Sequence, residues 1–197
     1  MRRKILMGVF AIALPFGTIA GFTSGSAFAG KVTGTGTTTC SFGGTISFNP
    51  PLTQNGTAGV KKEITTVAAT LGSCSGGTPV GNATSVAVKP IKTKTPKGQN
   101  GATCSGFTAN ASTVVVKTKV NWAGEKPSKF NISNLSVIVN PVTGEAGFQG
   151  SFPVTGSYAE TGNVTVYLTP QSTNEIASCT SPVSTLNIDS STSSGAL

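Results

Sequence analysis

The side chains that could carry out catalysis in this chain are few, and the residue that most catalytic sites need is missing. The sequence contains no His, a single Asp at position 189 and five Glu residues. Catalytic triads use an imidazole as general base, and zinc sites draw mainly on His, Cys and carboxylates. We therefore expect neither a triad hydrolase nor a metal ion, and no cofactor.

The glutamates leave one catalytic alternative open. Glycoside hydrolases use two carboxyl groups that face each other across a cleft, and two of these residues could meet in that way. Each of them, however, stands among Thr and Gly in a loop or strand flank, where a solvated carboxylate is the ordinary arrangement. We predict that the protein is not an enzyme and keep an exported hydrolase with a Glu pair as the alternative. The residues are Glu63, Glu125, Glu145, Glu160 and Glu175.

The four cysteines indicate disulfide bonds and not a reactive thiol or a metal site. None of them forms a CxxC motif, and an even number in an exported chain is typical of two disulfides. Cys40 and Cys74 flank two consecutive predicted strands, so antiparallel pairing would bring both to one end of a sheet. Four cysteines allow three connectivities. We predict the pairs Cys40–Cys74 and Cys104–Cys179.

The first residues are typical of an export signal. The basic start Arg2-Arg3-Lys4 precedes an apolar run, and Ala27-Phe28-Ala29 provides the small residues that signal peptidases require. The apolar run is interrupted by Pro15 and Gly17 and is too short for a membrane anchor. We predict a signal peptide over 1–29 and a protein that is secreted, extracellular or associated with the cell envelope, and not an integral membrane protein once mature.

Cleavage after Ala29 would remove both arginines and leave 11 Lys against 6 acidic residues, a net charge of +5. A protein without Arg lacks the side chain that recognises phosphates and guanine edges through two parallel hydrogen bonds. We expect no nucleic-acid partner.

The remaining positive charge is concentrated in residues 89–97, where four lysines occur without an acidic residue. One interpretation is an edge strand and loop that Lys and Pro protect from pairing with another sheet. The other is contact with an anionic cell-wall polymer or lipid surface. The candidate residues for this second function are Lys89, Lys92, Lys94 and Lys97.

Alternating apolar and polar residues predict strands along the whole mature chain. In the clearest of them, residues 113–122, Val and Trp122 share one face and Lys the other, so we expect Trp122 to fill the core. Residues 42–48 alternate in the same way. A change of parity between Ile64 and Val67 predicts a bulge. No stretch of ten residues has helical periodicity.

Seven or eight strands of this kind, separated by Gly, Pro and Asn, are typical of an antiparallel β-sandwich of immunoglobulin-like type. A closed barrel is the alternative, and counting strands does not distinguish the two. We expect an all-β fold with two disulfides, a single domain over 30–189, and a disordered Ser/Thr tail over 190–197.

Two resemblances add to these predictions. Residues 34–52, which include Cys40, and the later Leu71-Gly-Ser-Cys74-Ser-Gly-Gly are similar to a diffuse group of uncharacterised secreted β-rich proteins of actinobacteria, with a looser echo over 150–156. That resemblance implies export and a β-rich domain but no activity or ligand. A fainter one, to type 1 fimbrial subunits, rests on an early cysteine paired with another a few dozen residues on, and it implies a pilin-like subunit as a further alternative.

The function expected from these features is that of a secreted, non-catalytic protein that binds a ligand or serves as a structural component of the cell envelope. The ligand and the oligomeric state do not follow from the sequence.

Overall fold

The computed structural model describes residues 31–197, and the predicted signal peptide lies outside the described residues. Within them the fold is all-β and antiparallel, with two disulfides, as predicted. The strands are β1 Thr35–Leu52, β2 Lys62–Thr78, β3 Ala83–Val88, β4 Ile91–Lys94, β5 Val116–Trp122, β6 Ser128–Ile132, β7 Ser136–Val139, β8 Ala146–Thr155, β9 Thr161–Tyr167, β10 Val183–Ile188 and β11 Ser194–Ala196. The helices are α1 Cys104–Ala109 and α2 Pro170–Ser178, and a 3₁₀ turn spans Ala111–Thr113.

The strands form one sheet in the order β3-β5-β6-β8-β9-β11-β1-β2-β4, with β10 added to β1 and β7 to β8. The sheet curls into a half-barrel, so that β2 and β3 lie on either side of a narrow gap lined by residues 69–71 and 83–86. The predicted immunoglobulin-like sandwich is not confirmed, because the strands follow one curled sheet.

β3 and β4 follow each other along the chain but are the two edge strands of this sheet, at its opposite ends. β3 pairs with β5 as far as Val88 and Thr118, and the next residue, Lys89, still donates its N–H to the Lys117 carbonyl over 2.9 Å. Beyond Pro90 the chain changes sides, and β4 pairs with β2 instead. The start of β5 therefore loses its neighbour on this side, which leaves an opening between β4 and β5.

β1 and β2 form a long hairpin whose twist depends on glycine. Gly44 has φ +132, and a Cβ atom there would lie 2.0 Å from the Ala68 carbonyl oxygen. The predicted bulge between Ile64 and Val67 is wrong, because the register is continuous there. The irregularities lie between Leu71 and Cys74 and between Gly76 and Thr78. Ile64 lies outside the core, in register with the exposed Lys92 on β4.

The two helices were not predicted, because each is shorter than the window over which helical periodicity can be seen. Their local signals are caps: the hydroxyl of Thr169 accepts from the Ser172 N–H at the start of α2, with Pro170 in the first turn, and Thr103 caps α1. No helix within residues 31–197 is long and apolar enough to cross a bilayer.

Residues 190–197, for which composition predicts disorder, instead complete the sheet. β11 lies between β9 and β1, and the backbones of Leu197 and Thr38 exchange two hydrogen bonds of 2.7 and 2.8 Å. The Leu197 side chain is buried. Ser and Thr in this segment pair as strand residues because both neighbouring strands offer free backbone edges, a long-range effect that composition does not report.

The apolar interior consists of two clusters. One contains Ile46, Phe48 and Leu186, and the other contains Trp122, Phe152 and Val154. Val166 packs against both. Trp122 is 2% exposed and donates its Nε1–H to the Ser128 hydroxyl over 2.9 Å, which confirms the predicted core position.

Candidate functional site

A cavity of about 490 Å³ lies inside the curled sheet, between the two core clusters. Ile46 and Phe48 line it from one cluster, Val120 and Phe152 from the other, and Val116 lines it on β5. Most of its wall is apolar. Its volume falls within the range of about 300–1,000 Å³ that is typical of small-molecule sites. This volume is far larger than the packing defects of an ordinary protein core, which rarely exceed the size of a water molecule.

One end of the cavity is closed by α1. Its Phe107 ring packs edge-to-face on Phe48, with ring centroids 5.0 Å apart, and on Phe148, with centroids 5.3 Å apart. The predicted disulfide Cys104–Cys179 is confirmed and ties the start of α1 to the end of α2. The predicted Cys40–Cys74 disulfide is also confirmed and links directly opposed residues of β1 and β2.

The cavity reaches the surface at the opening between β4 and β5. Ile91, Thr93 and Lys94 line it on the β4 side, and residues 113, 114 and 116 line it on the other side. The opening exists because the β3–β4 segment leaves β5 at Lys89 and joins β2.

Several polar residues also line this interior, among them Thr118 and Glu63. Thr118 lines the cavity, and its hydroxyl is buried with no hydrogen-bond partner among residues 31–197, so it can bond to a ligand. Thr118 pairs with Val88, the last residue of β3, and so lies at the inner edge of the opening. The second group, the Glu63 carboxylate, already accepts the backbone N–H of Ala102.

The four lysines predicted to contact an anionic surface are all exposed, and one of them, Lys94, lines the cavity. Lys92 and Lys94 lie on β4, with Lys89 and Lys97 on the chain either side of it. The structure adds a residue that the sequence did not indicate: Lys62 on β2 lies directly opposite Lys94. Two lysines directly opposite each other destabilise a strand pair. Their presence therefore favours a function in binding over one in stabilising the sheet.

The glutamates do not all behave as predicted. Two of them are buried and not solvated: Glu125 is 4% exposed and Glu145 is 3% exposed. The Thr143 hydroxyl donates to Glu145 over 2.9 Å, and the adjacent N-terminal segment covers Glu125 by pairing Val32 beside it. The hydrogen-bond partner of Glu145 is local, whereas the neighbour of Glu125 is distant in sequence.

Asp189, the residue after β10, is held by the turn that follows it. The hydroxyl and backbone N–H of Ser191 donate to Asp189 over 2.7 and 2.8 Å, and these bonds hold the pKa of Asp189 below its usual value, with Glu145 as a further partner.

A second group of buried polar atoms, from Tyr158 and Glu125, lies near Trp122. The Tyr158 ring packs edge-to-face on Trp122 with centroids 4.6 Å apart. Within the described part of the chain, neither the Tyr158 hydroxyl nor Glu125 Oε2 has a hydrogen-bond partner. Burial raises the pKa of Tyr158, and the charge of Glu125 raises it further. Within residues 31–197 no three His, Cys, Asp or Glu side chains converge to hold a metal ion.

No protein-family model, curated protein or solved structure matches this chain. The resemblances to secreted actinobacterial proteins and to fimbrial subunits stay hypotheses. The functional argument therefore depends on the geometry of the cavity and its opening.

Proposed function

We propose that this is a secreted, non-catalytic binding protein that holds an apolar small molecule inside its curled sheet. The observation that carries the proposal is the cavity of about 490 Å³, which joins two apolar clusters and opens between β4 and β5. The unpartnered Thr118 hydroxyl supplies the kind of polar contact that orients a ligand in an otherwise apolar site.

The two disulfides support the secreted part of the proposal, because such bonds persist in oxidising compartments. The predicted export signal over 1–29 gives the same location. The curled sheet, and not an immunoglobulin-like sandwich, is the architecture on which the proposal rests. A hydrolase with a Glu pair is the less favoured alternative, since the buried carboxyl of Glu145 already accepts a hydrogen bond from the Thr143 hydroxyl.

A neutral apolar dye tests this function. N-phenylnaphthylamine fluoresces strongly in apolar surroundings, and we expect it to bind the protein with saturable fluorescence. The variant Val116→Phe places a larger side chain in the cavity and should reduce the binding at least tenfold. The matched control is Val137→Phe on the exposed face of β7, which should bind as the wild type does. Absence of saturable binding by the wild type would falsify the proposed function.

A second candidate function, adhesion to an anionic envelope surface, is favoured by the lysines around β4. The pairing of Lys62 with Lys94 extends this basic surface onto β2. Each lysine near an anionic surface contributes about 1 kcal/mol, and salt screens the attraction.

Vesicles that contain phosphatidylglycerol test this adhesion. Lys89→Gln, Lys92→Gln, Lys94→Gln and Lys97→Gln together should abolish the sedimentation of the protein with such vesicles at low salt. The control variant neutralises the same number of exposed lysines elsewhere: Lys117, Lys119, Lys126 and Lys129. Equal loss of binding in both variants would mean that only net charge matters.

A further inference from the structure

We infer that β7 is the contact surface of a symmetric dimer, in which two copies of this chain pair their β7 strands antiparallel and join two sheets into one. β7 lies at an edge, because it pairs with β8 on one side and no strand within residues 31–197 pairs with it on the other. A free strand edge is a template for another strand. None of the β7 residues lines the cavity, so this contact is separate from the proposed ligand site.

The hydrogen-bonding pattern shows which backbone groups of β7 are free. The Asn140 N–H donates to the Glu145 carbonyl over 2.8 Å, where the β7–β8 register continues into the turn. Bonded and non-bonded pairs alternate along antiparallel strands, so the backbone of Ile138 also bonds to β8, whereas the N–H and C=O of Val137 and Val139 point away from it. The 3₁₀ turn lies near β7, but no backbone group in the described part of the chain bonds to this free edge.

The free edge is apolar and carries none of the residues that normally protect an edge strand. Val137 is 44% exposed and Val139 is 63% exposed, and residues 130–144 contain no charged side chain. The edge strand β4, by contrast, carries Lys92 and Lys94. Lysines and prolines on an edge prevent it from pairing with another sheet, so their absence from β7 leaves that strand open to pairing.

The sequence of this edge fits a second copy of itself. Residues 136–140 read Ser-Val-Ile-Val-Asn, which has the same character in both directions around Ile138. Antiparallel pairing places Val137 of one copy opposite Val139 of the other, in the bonded position that their free groups require, and each Ile138 opposite its equivalent. A two-fold contact needs a self-complementary surface of this kind. The predicted mature chain has 11 Lys against 6 acidic residues, and a contact without charged side chains brings no like charges together.

The strength of the contact follows from its size. A ladder as short as β7 buries less area than a standard interface of about 1,600 Å². We therefore expect a dissociation constant of roughly 100 µM. At the low micromolar concentrations of a denaturation experiment the chain is monomeric, and the contact does not affect its unfolding.

Sedimentation equilibrium of the mature chain from about 10 µM to about 1 mM measures this association. We expect a monomer–dimer equilibrium without larger species, because a two-fold contact occupies the edge of both copies. Val139→Lys should raise the Kd at least about tenfold, because it places a charge on the free edge. The matched control is Val80→Lys in the loop after β2, where the valine is also 63% exposed and the net charge changes equally. This control should dimerise as the wild type does.

An engineered disulfide tests the register. The two Ile138 residues form a non-bonded pair on the two-fold axis, where Cα atoms lie about 4.5 Å apart, within the range that a disulfide spans. Ile138→Cys should therefore form a covalent dimer on mild oxidation at high protein concentration, seen as a band of twice the mass on a non-reducing gel. Val80→Cys, as the control, should form much less of it.

A wild-type chain that stays monomeric at about 1 mM would overturn the inference. A Val139→Lys variant that dimerises as tightly as Val80→Lys would overturn it as well. If Ile138→Cys cross-links no faster than Val80→Cys, the copies associate through another surface and the assignment of β7 is wrong.

Discussion

At the scale of single residues, the interior polar groups divide into those with partners and those without. Trp122 donates to Ser128, whose hydroxyl donates in turn to the Ser157 carbonyl over 2.8 Å, so this chain of bonds is satisfied within the core. Thr118 has no such partner although it lies on the same strand as Trp122 and is also buried. The satisfied group stabilises the fold, and the unsatisfied one is available to a ligand.

Replacement of the core tryptophan measures the first of these roles. We predict that Trp122→Ala lowers the free energy of unfolding by about 3–5 kcal/mol, because it removes a large buried ring. Urea denaturation gives the value, with Val139→Ala on the exposed face of β7 as a control that should stay within about 0.5 kcal/mol of wild type. Trp122 is the only tryptophan. Native fluorescence at the fully exposed limit would contradict its burial.

The contacts of Asp189 predict how stability depends on pH. Its pKa is lowered in the folded chain, so its bonds to Ser191 stabilise the fold at pH values above the carboxyl range. As the pH falls below about 4, the unfolded chain takes up the proton first, and this contribution is lost as the folded carboxylate is protonated.

Asp189→Asn should therefore reduce the steepness with which the free energy of unfolding falls between neutral and acid pH. Ser191→Ala should act in the same direction, because it removes the hydroxyl that donates to Asp189. The exposed neighbour Ser190→Ala is the control. An acid dependence in Asp189→Asn identical to that of wild type would show that these bonds do not set the pKa.

At the scale of elements, alternation along the chain was enough to predict the all-β class and the inward face of β5. It was also enough to predict Cys40–Cys74, because antiparallel neighbours place both residues at one sheet end. It could not predict β11, since its Ser and Gly residues gain their partners only from β1 and β9, far away in sequence. The change of sheet end at Pro90, which creates the opening, depends in the same way on two distant strands.

The position of Thr118 is the sequence signal that could have indicated the cavity. It stands between Val116 and Val120 on the inward face of the best predicted strand, where a polar residue is out of place. A lone inward Thr is compatible with an ordinary core, however, and only the curled sheet shows that nothing in the described chain bonds to it. The cavity between the two clusters depends on how the side chains pack, which the periodicity of the sequence does not show.

The C-terminal strand gives a prediction at this scale. Removal of residues 194–197 should destabilise the protein severely, because β11 bonds to β1 and β9 and Leu197 is buried. The milder variant Leu197→Ala should cost about 2–5 kcal/mol in urea denaturation, while Val142→Ala, at a highly exposed position, should cost almost nothing. A truncated chain as stable as the full one would mean that these residues are dispensable.

The two disulfides differ in what they hold, and this difference can be measured. They close loops with sequence separations of 34 and 75, so removing either should cost a similar amount, roughly 4 kcal/mol. Only Cys104–Cys179 anchors α1, which closes the cavity. We predict that the double Ser variant of Cys104 and Cys179 weakens dye binding more than the double Ser variant of Cys40 and Cys74. Equal weakening of dye binding in the two variants would show that α1 does not contribute to the binding site.

At the scale of the whole molecule, the curled sheet encloses the cavity. One end of it is closed by α1, the walls come from both core clusters, and the opening lies where the β3–β4 segment changes from β5 to β2. A ligand at about one hundred times its Kd should stabilise this fold by about 2.7 kcal/mol. For a domain of this size that corresponds to a rise in Tm of roughly 5–10 °C, which differential scanning calorimetry with and without N-phenylnaphthylamine measures.

The central claim is that the interior of the curled sheet is an apolar space that accepts a guest. Diffraction from crystals pressurised with xenon tests it most directly, because xenon enters apolar cavities and is visible by its electron density. We predict xenon density between Phe48, Val116 and Phe152, inside the sheet. Side chains that fill this space, with no xenon between the two core clusters, would contradict the account.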